Sequence, residues 1–476
     1  MKRYDAVVVG SGPNGLAAAL VLARAGHSVK VLEGQPTFGG GARSMALTKP
    51  GFVHDICSAI HPLAAGSPFF SSLPLERYGV RFIHSDVPLV HPLEGGDAAV
   101  LHRSIDETAA GLGPDEKAWR RLMTPLVSGF EDLKGLIYNP LTKPPLKAPF
   151  LAARFGLKAL ESAMGFAHDT FVGPKAKALL AGCAAHSFSP LTTPLTNAFG
   201  LILAITGHTV GWPFIEGGSQ KLVDALVAMI REAGGELEAN QPVERFEQLP
   251  PHRLVLFDTH AHVMTRVCGE ALPAGYRRRI ERGFRKGPGV FKVDYALDGP
   301  MPWAAPIAAR TSCLHVCGDA EAVAESEAAP ADGRVPERPY VLVAQHSPFD
   351  PSRAPAGQQT LWAYCHVPNG STVDMTARLE AQLERFAPGF SQRVIARHVK
   401  APADFEATNA SYLGGDISAG AVEGLQLFFR PTIGLPYVTP NPAVLVCSAS
   451  APPGPGVHGM SGYWAAQTAL ARLRRS

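Results

Sequence analysis

The sequence predicts an α/β fold that opens on a parallel sheet, and three observations near its start carry that prediction. The run Ala6–Val9 is apolar and β-branched, as in a strand buried on both faces. Gly10-Ser11-Gly12-Pro13-Asn14-Gly15 follows at once and opens a helix from about Asn14 to Ala25, rich in Ala and Leu and ended by Gly26. Val29–Leu32 is a second buried strand, and Glu33 stands at its end. A G-x-G-x-x-G run alone is weak, but here it follows a strand, opens a helix and precedes a strand that ends in an acid. The opening unit is therefore Rossmann-like and built to bind a dinucleotide.

Each part of that unit has a mechanical role. Gly10 permits the tight turn, Gly12 lets the backbone approach a pyrophosphate, and Gly15 lets the helix pack close to the strand. The free N–H groups and the dipole of the helix start favour phosphate charge. Glu33 is placed to accept the hydroxyls of an adenosine ribose, and its charge disfavours a 2′-phosphate. Beyond the second strand, Gly39-Gly40-Gly41-Ala42-Arg43 favours FAD over NAD. Glycines there can pass beside a flavin's pyrophosphate and ribityl chain, with Arg43 as a counter-charge. Candidate cofactor contacts in this half are Gly10, Ser11, Gly12, Pro13, Asn14, Gly15, Glu33, Gly34, Gly40, Gly41, Ala42 and Arg43.

At 476 residues the chain exceeds one core, so two or more domains are expected. A hydrophobic content of 46% with 18% charged residues describes a well-filled globular protein. A formal charge of +3 is too small to imply nucleic acid, and no nucleic-acid motif is present. The seven cysteines are odd in number and scattered, as in reduced cytosolic thiols. Cys313-x-x-x-Cys317 lacks a second ligand pair, so no metal site is expected. The nucleotide fold begins at Tyr4, which leaves no room for a signal peptide. No window reaches the ~18 consecutive apolar residues of a membrane span. The expected location is the cytoplasm, with any membrane contact peripheral.

Phe52–Pro62 (FVHDICSAIHP) is a dense polar and apolar stretch that either runs near the flavin or joins domains with its His and Asp satisfied internally. Residues 76–214 lose the βαβ rhythm and read as helical at Ile105–Leu112, Glu116–Ile137 and Lys175–His186. Four prolines in Asn139–Pro149 rule out one helix there. Phe150–Phe166 then reads as an amphipathic helix, with Phe150, Ala153, Leu157, Leu160 and Met164 on one face and Lys147, Arg154, Lys158 and Glu161 on the other. Such a helix either covers a core or lies on an anionic membrane.

The chain returns to the nucleotide domain after Trp212. Lys221–Ala233 is a helix ended by Gly234-Gly235, followed by a short strand pair, Glu236–Asn240 and Pro242–Phe246. Residues 253–430 read as mixed α+β. Strands are expected at Leu254–Phe257, Val290–Leu297, Tyr340–Gln345 and Thr360–His366, the last two paired antiparallel. Helices are expected at Tyr276–Phe284 and Met375–Phe386. A sheet covered by helices is suited to walling a substrate cavity. Pro442–Cys447 is a buried strand, Ser448–Gly459 a Gly/Pro-rich turn, and Met460–Arg472 a closing helix that adds to the first sheet. A helix starting near Gly456–Met460 would aim its N–H groups at the flavin's N1–C2=O edge.

These residues together resemble the phytoene desaturase-like flavoproteins, and most of all the branch of pyridine nucleotide-disulfide oxidoreductase domain-containing protein 2. The resemblance rests on Asn14-Gly15-Leu16, DICSAIHP at 55–62, Pro355-Ala356-Gly357, Asn409 with Gly414-Gly415-Asp416-Ile417, and Gly456-Val457-His458-Gly459-Met460. The chain departs from that pattern at Ser448–Gly456, where extra prolines stand and a histidine is missing. The resemblance implies an FAD-binding domain in three segments, 1–75, 213–260 and 431–476, with an inserted α+β substrate domain at 76–212 and 261–430. It adds Val243, Gly456, Val457, His458 and Met460 to the FAD contacts.

The expected function is that of a flavin-dependent desaturase or dehydrogenase, with hydride passing from a carbon of an apolar substrate to flavin N5. No catalytic residue is assigned. His61 and His458 are candidate proton acceptors, with a structural role as the alternative. A redox-neutral isomerase and a non-catalytic FAD-containing assembly protein stay open, as do the electron acceptor and the oligomeric state.

Overall fold

The computed structural model describes residues 2–140, 142 and 148–474. The predicted Lys147 and most of the proline-rich stretch 139–149 lie outside the described residues.

The first sheet has five parallel strands in the order Val444–Val446, His252–Phe257, Tyr4–Val9, Val29–Leu32, Glu236–Glu238. Three distant stretches of chain thus meet in one sheet. Val7, Val8, Val31, Val255, Leu256 and Leu445 have no exposed surface, as an apolar run covered on both faces requires. Helix Pro13–Arg24 packs between Gln220–Glu232 and the closing helix Met460–Leu473. Gly462 makes the second crossing close, because any Cβ there would strike the Asn14 carbonyl.

The second sheet has seven strands in the order Val394–Lys400, Gly289–Leu297, Gln359–Val367, Val341–Ala344, Cys313–Val316, Leu89–Pro92, Ala98–Leu101. All pairings are antiparallel except Cys313–Val316 with Leu89–Pro92. Helix Thr376–Phe386 buries Leu379, Leu383 and Phe386 against one face. The other face meets a helical layer that includes Glu116–Ser128, Pro174–Ala184 and Thr196–Thr209.

Four local readings are corrected. The stretch 76–212, expected to be helical, includes Leu89–Pro92 and Ala98–Leu101, a hairpin that extends the second sheet. The Glu116–Ile137 helix is two helices, Glu116–Ser128 and Phe130–Ile137, separated at Gly129. Phe150–Phe166 is also two, Pro149–Ala159 and Ala163–Thr170. Ser162 starts the second by accepting the Gly165 N–H on its hydroxyl at 3.2 Å, which ends the continuous period. Pro242–Phe246 is not a strand. Gln248 takes the Glu244 and Arg245 N–H groups at 2.7 and 2.9 Å, which turns two of the segment's donors to a side chain and away from a ladder.

Candidate functional site

A cavity of about 1020 Å3 runs from the glycine turn of the first sheet to the helical face of the second. Its volume is at the upper end of the range for ligand pockets, and its lining runs from the glycine cradle to an apolar far wall. The candidate residues Gly10, Ser11, Gly12, Pro13, Asn14, Glu33, Gly34, Gly40, Gly41, Ala42, Arg43, Val243, Gly456, Val457 and His458 all line it. Gly15 and Met460 do not; they lie behind the wall.

Glu33 is buried and fixed. Its Oε2 accepts the Ser11 N–H at 3.0 Å and the Ser11 hydroxyl at 2.5 Å, and its Oε1 accepts the Gln35 N–H at 2.9 Å. Ser11 Oγ in turn accepts the Gly39 N–H at 3.1 Å. The acid at the end of the second strand therefore joins the two glycine runs. At their meeting point a Cβ on Gly40 would lie 3.1 Å from the Gly12 Cα, so the two backbones approach as only glycine allows. A dinucleotide pyrophosphate fits such a cradle, with backbone rather than side chains on both sides.

Arg43 is expected as a counter-charge, and it lines the cavity. Its guanidinium is also engaged by carbonyls, Nε donating to Gly40 at 2.8 Å and Nη2 to Thr408 at 3.0 Å. It clamps the glycine loop to the segment at 408 while still lining the cavity.

The two candidate histidines are both held by the fold. Ser219 Oγ donates to the Ser58 carbonyl at 2.8 Å, so it accepts from His61 Nε2–H, also at 2.8 Å. His458 accepts the Met460 N–H on Nδ1 at 3.0 Å and donates from Nε2 to the Gly454 carbonyl at 3.2 Å. Both ring nitrogens of His458 are thus committed, Nδ1 to the start of the closing helix and Nε2 to the loop before it. The Met460 N–H, expected to face the flavin, is taken by that cap. Burial pushes both imidazoles down to about 4, so they stay neutral.

The stretch 52–62 combines its two alternative readings. Cys57, Ser58, Ala59, Ile60, His61 and Pro62 line the cavity, whereas His54 and Asp55 turn away into protein. Asp55 accepts from Ser44 Oγ at 2.5 Å, the Ser219 N–H at 2.8 Å and Arg353 Nη2 at 3.1 Å.

Three features of the wall were not read from the sequence. Asp258 follows strand His252–Phe257 and accepts the Gly15 N–H at 2.8 Å. Burial, aided by Glu33, pushes its carboxyl up to about 7 against the donation of Gly15 and Gly12. Its place just past the carboxyl end of a parallel strand was the available signal. Trp362 and Tyr364, two apart on strand Gln359–Val367, form an edge-on pair with centroids 4.9 Å apart on the far wall. Alternation along that strand was the signal there. His186, in the turn after helix Pro174–Ala184, had none. All seven cysteines are free and buried, and among the described residues no group of His, Cys, Asp or Glu is disposed to hold a metal ion.

Comparison with known proteins agrees with this fold. Residues 8–70 match the NAD(P)-binding Rossmann-like domain. The chain is 25% identical to the pyridine nucleotide-disulfide oxidoreductase domain-containing protein 2 of Rattus norvegicus over 99% of this chain and 94% of that protein. It is 25% identical to the lycopene-forming phytoene desaturase of Pseudescherichia vulneris over 51% of this chain and 52% of that one. An oxidoreductase of Methanosarcina mazei shares the fold with a TM-score of 0.66, at 16% identity, covering 99% of this chain and 100% of its own. The resemblance drawn from the sequence therefore holds, and the α/β fold with it.

Proposed function

We propose that this chain is an FAD-dependent oxidoreductase of the desaturase or dehydrogenase type, acting on a largely apolar substrate. One observation carries the reading. A single cavity joins the glycine cradle and Glu33 to a wall of Phe199, Ile202, Leu342, Trp362 and Tyr364. When bound, FAD supplies a hydride acceptor at N5.

The chain's own residues bind, orient and exclude water. Glu33 is the acceptor for the adenosine ribose, and Gly12 and Gly40 admit the pyrophosphate. Asp258 holds the Gly15 N–H and so the start of the first helix. The aromatic pair and the apolar side chains across from it position the reacting carbon and keep the site dry. The test is spectroscopic: purified protein should carry FAD absorbance that bleaches anaerobically with substrate. Protein with FAD that turns over without any electron acceptor would instead be an isomerase. A stable partner with no turnover across broad substrate panels would favour the assembly reading.

A specific observation supports peripheral membrane contact. Helix Pro149–Ala159 lines the cavity through Ala152, Phe155 and Ala159, and Leu427 and Phe428 line it from another segment. The outer sides of both segments are apolar and bare. Phe150 is 90% exposed, and Leu157, Leu160, Leu425, Ile433 and Leu435 are exposed with it. Arg154 and Lys158 lie on the same helix. This rim would rest on an anionic bilayer and take apolar substrate from it. No helix among the described residues is long and apolar enough to cross a membrane.

A further inference from the structure

At the inner end of the cavity His186 lines the wall, and His315 and His91 stand behind it. His91 donates from Nε2 to the Gly318 carbonyl at 2.6 Å, which fixes its proton there and leaves Nδ1 as a bare lone pair. His91 Nδ1 and His315 Nδ1 are both enclosed and without a hydrogen-bond partner. They converge beside Gly182, where an added Cβ would lie 2.7 Å from the first and 2.6 Å from the second. A proton on His315 Nδ1 faces the His91 lone pair favourably, whereas a second lone pair there would be repelled. His315 is accordingly assigned the Nδ1–H tautomer, with Nε2 as an acceptor. His186 Nε2 lies 3.0 Å from His315 Nε2 and must then be the donor.

This assignment leaves His186 Nδ1 as an acceptor. No side chain or backbone group of the described residues bonds that nitrogen, and His186 lines the cavity. The turn that carries it ends in Phe188 at a φ of +56°, a left-handed conformation that non-glycine residues adopt at a cost. Phe188 stacks on His366 with centroids 4.1 Å apart, which holds the turn in place.

Resting on the function proposed above, we infer that His186 Nδ1 is the polar anchor for the substrate, which is an apolar carbon skeleton bearing a hydroxyl group that donates to it. A hydrocarbon would leave that acceptor unpaired. An ammonium is disfavoured because the carboxylates on the cavity wall, Glu33, Glu244 and Asp258, all belong to its nucleotide end. Glu327, the acid behind this inner wall, is engaged by His366 at 2.6 Å. An unpaired cation buried there would be costly. Burial likewise keeps His186 itself neutral.

The experiment compares two isomers, decan-1-ol and 1-methoxynonane, which differ in whether an O–H is present. Binding is followed by the fluorescence of Trp212 and Trp362, which line the cavity, and by calorimetry. The native protein should bind the alcohol about fivefold to tenfold more tightly than the ether. His186→Phe should abolish that difference and leave the ether's affinity unchanged, and His186→Gln, which keeps an acceptor, should retain part of it. Equal affinities in the native protein, no binding of either isomer, or a preference that survives in a folded His186→Phe protein would overturn the inference. If His186→Phe does not fold, the native comparison still decides. The readout needs no turnover. Colourless protein that prefers the alcohol would sink the flavin reading alone, and yellow protein that does not discriminate would sink this one alone.

Discussion

The Asp55 carboxylate meets the Arg353 guanidinium at 3.1 Å, and neither side chain has exposed surface. The pair ties the stretch after the glycine loop to a turn of the second sheet's domain. The Ser219 N–H, at the start of helix Gln220–Glu232, donates to Asp55, and Arg353 donates to the Ile215 carbonyl just before it. Arg353 also pairs with Asp350, which accepts the Gly217 N–H at 2.7 Å and both the N–H and the hydroxyl of Ser352 at 3.1 and 2.6 Å. The cavity's two halves are therefore joined by a buried ionic hub close to its floor.

Removing one member of that hub should be expensive. Asp55→Ala leaves Arg353 with a partly uncompensated buried charge, and a loss of about 3–5 kcal/mol in unfolding free energy is expected. Burial opposes ionisation of Asp55, but Arg353, His346, Ser44 and the Ser219 N–H outweigh it and hold its carboxyl well below the usual range. Its stabilisation is thus present above pH ~4 and lost as the pH falls further. Denaturant titrations at pH 7 and pH 3 should show the variant's deficit shrinking in acid.

Asp258 has the opposite sign. Its folded-state carboxyl titrates at about 7, above its ordinary value. The stability it allows is complete below pH ~4 and declines as the pH rises to 7, by roughly 2–4 kcal/mol in total. Asp258→Asn cannot ionise, so its melting temperature should fall less than the native protein's between pH 5 and pH 8. Parallel curves would count against the assignment.

Glu33 should govern cofactor affinity. Glu33→Ala would orphan two N–H groups, of Ser11 and Gln35, each worth about 1–3 kcal/mol when buried. FAD titration into apoprotein should show at least a tenfold weaker Kd, with a smaller change for Glu33→Gln.

The bare rim should matter for membranes and not for folding. The double variant Phe150→Ser, Leu157→Ser should keep its unfolding free energy within about 0.5 kcal/mol, since both side chains are exposed. Flotation with anionic vesicles should fall several-fold. Unchanged flotation would remove the case for that face.

The nucleotide unit was legible because its signals are local. Buried parallel strands, a glycine turn and a terminal acid all lie within Tyr4–Arg43, and similar apolar runs mark Leu254–Phe257 and Pro442–Cys447 as strands. The helix at 150–166 misled because its apolar spacing continues through Ser162, which nonetheless caps a new helix. Leu89–Pro92 was missed because a four-residue strand ending in Pro carries little alternation. Arg43 and His458 were placed at the cavity but not given their partners, since Thr408 and Gly454 reach them only through the fold. His186 and Asp258 owe their roles to side chains converging from distant segments, which spacing cannot display.

The most direct test of the central claim is to denature the gently purified, folded protein and identify what the cavity releases, by absorbance and mass spectrometry. The account predicts FAD at close to one equivalent per chain, with Glu33→Ala releasing far less. Folded protein that releases no flavin, and that binds none on titration with FAD, would contradict it.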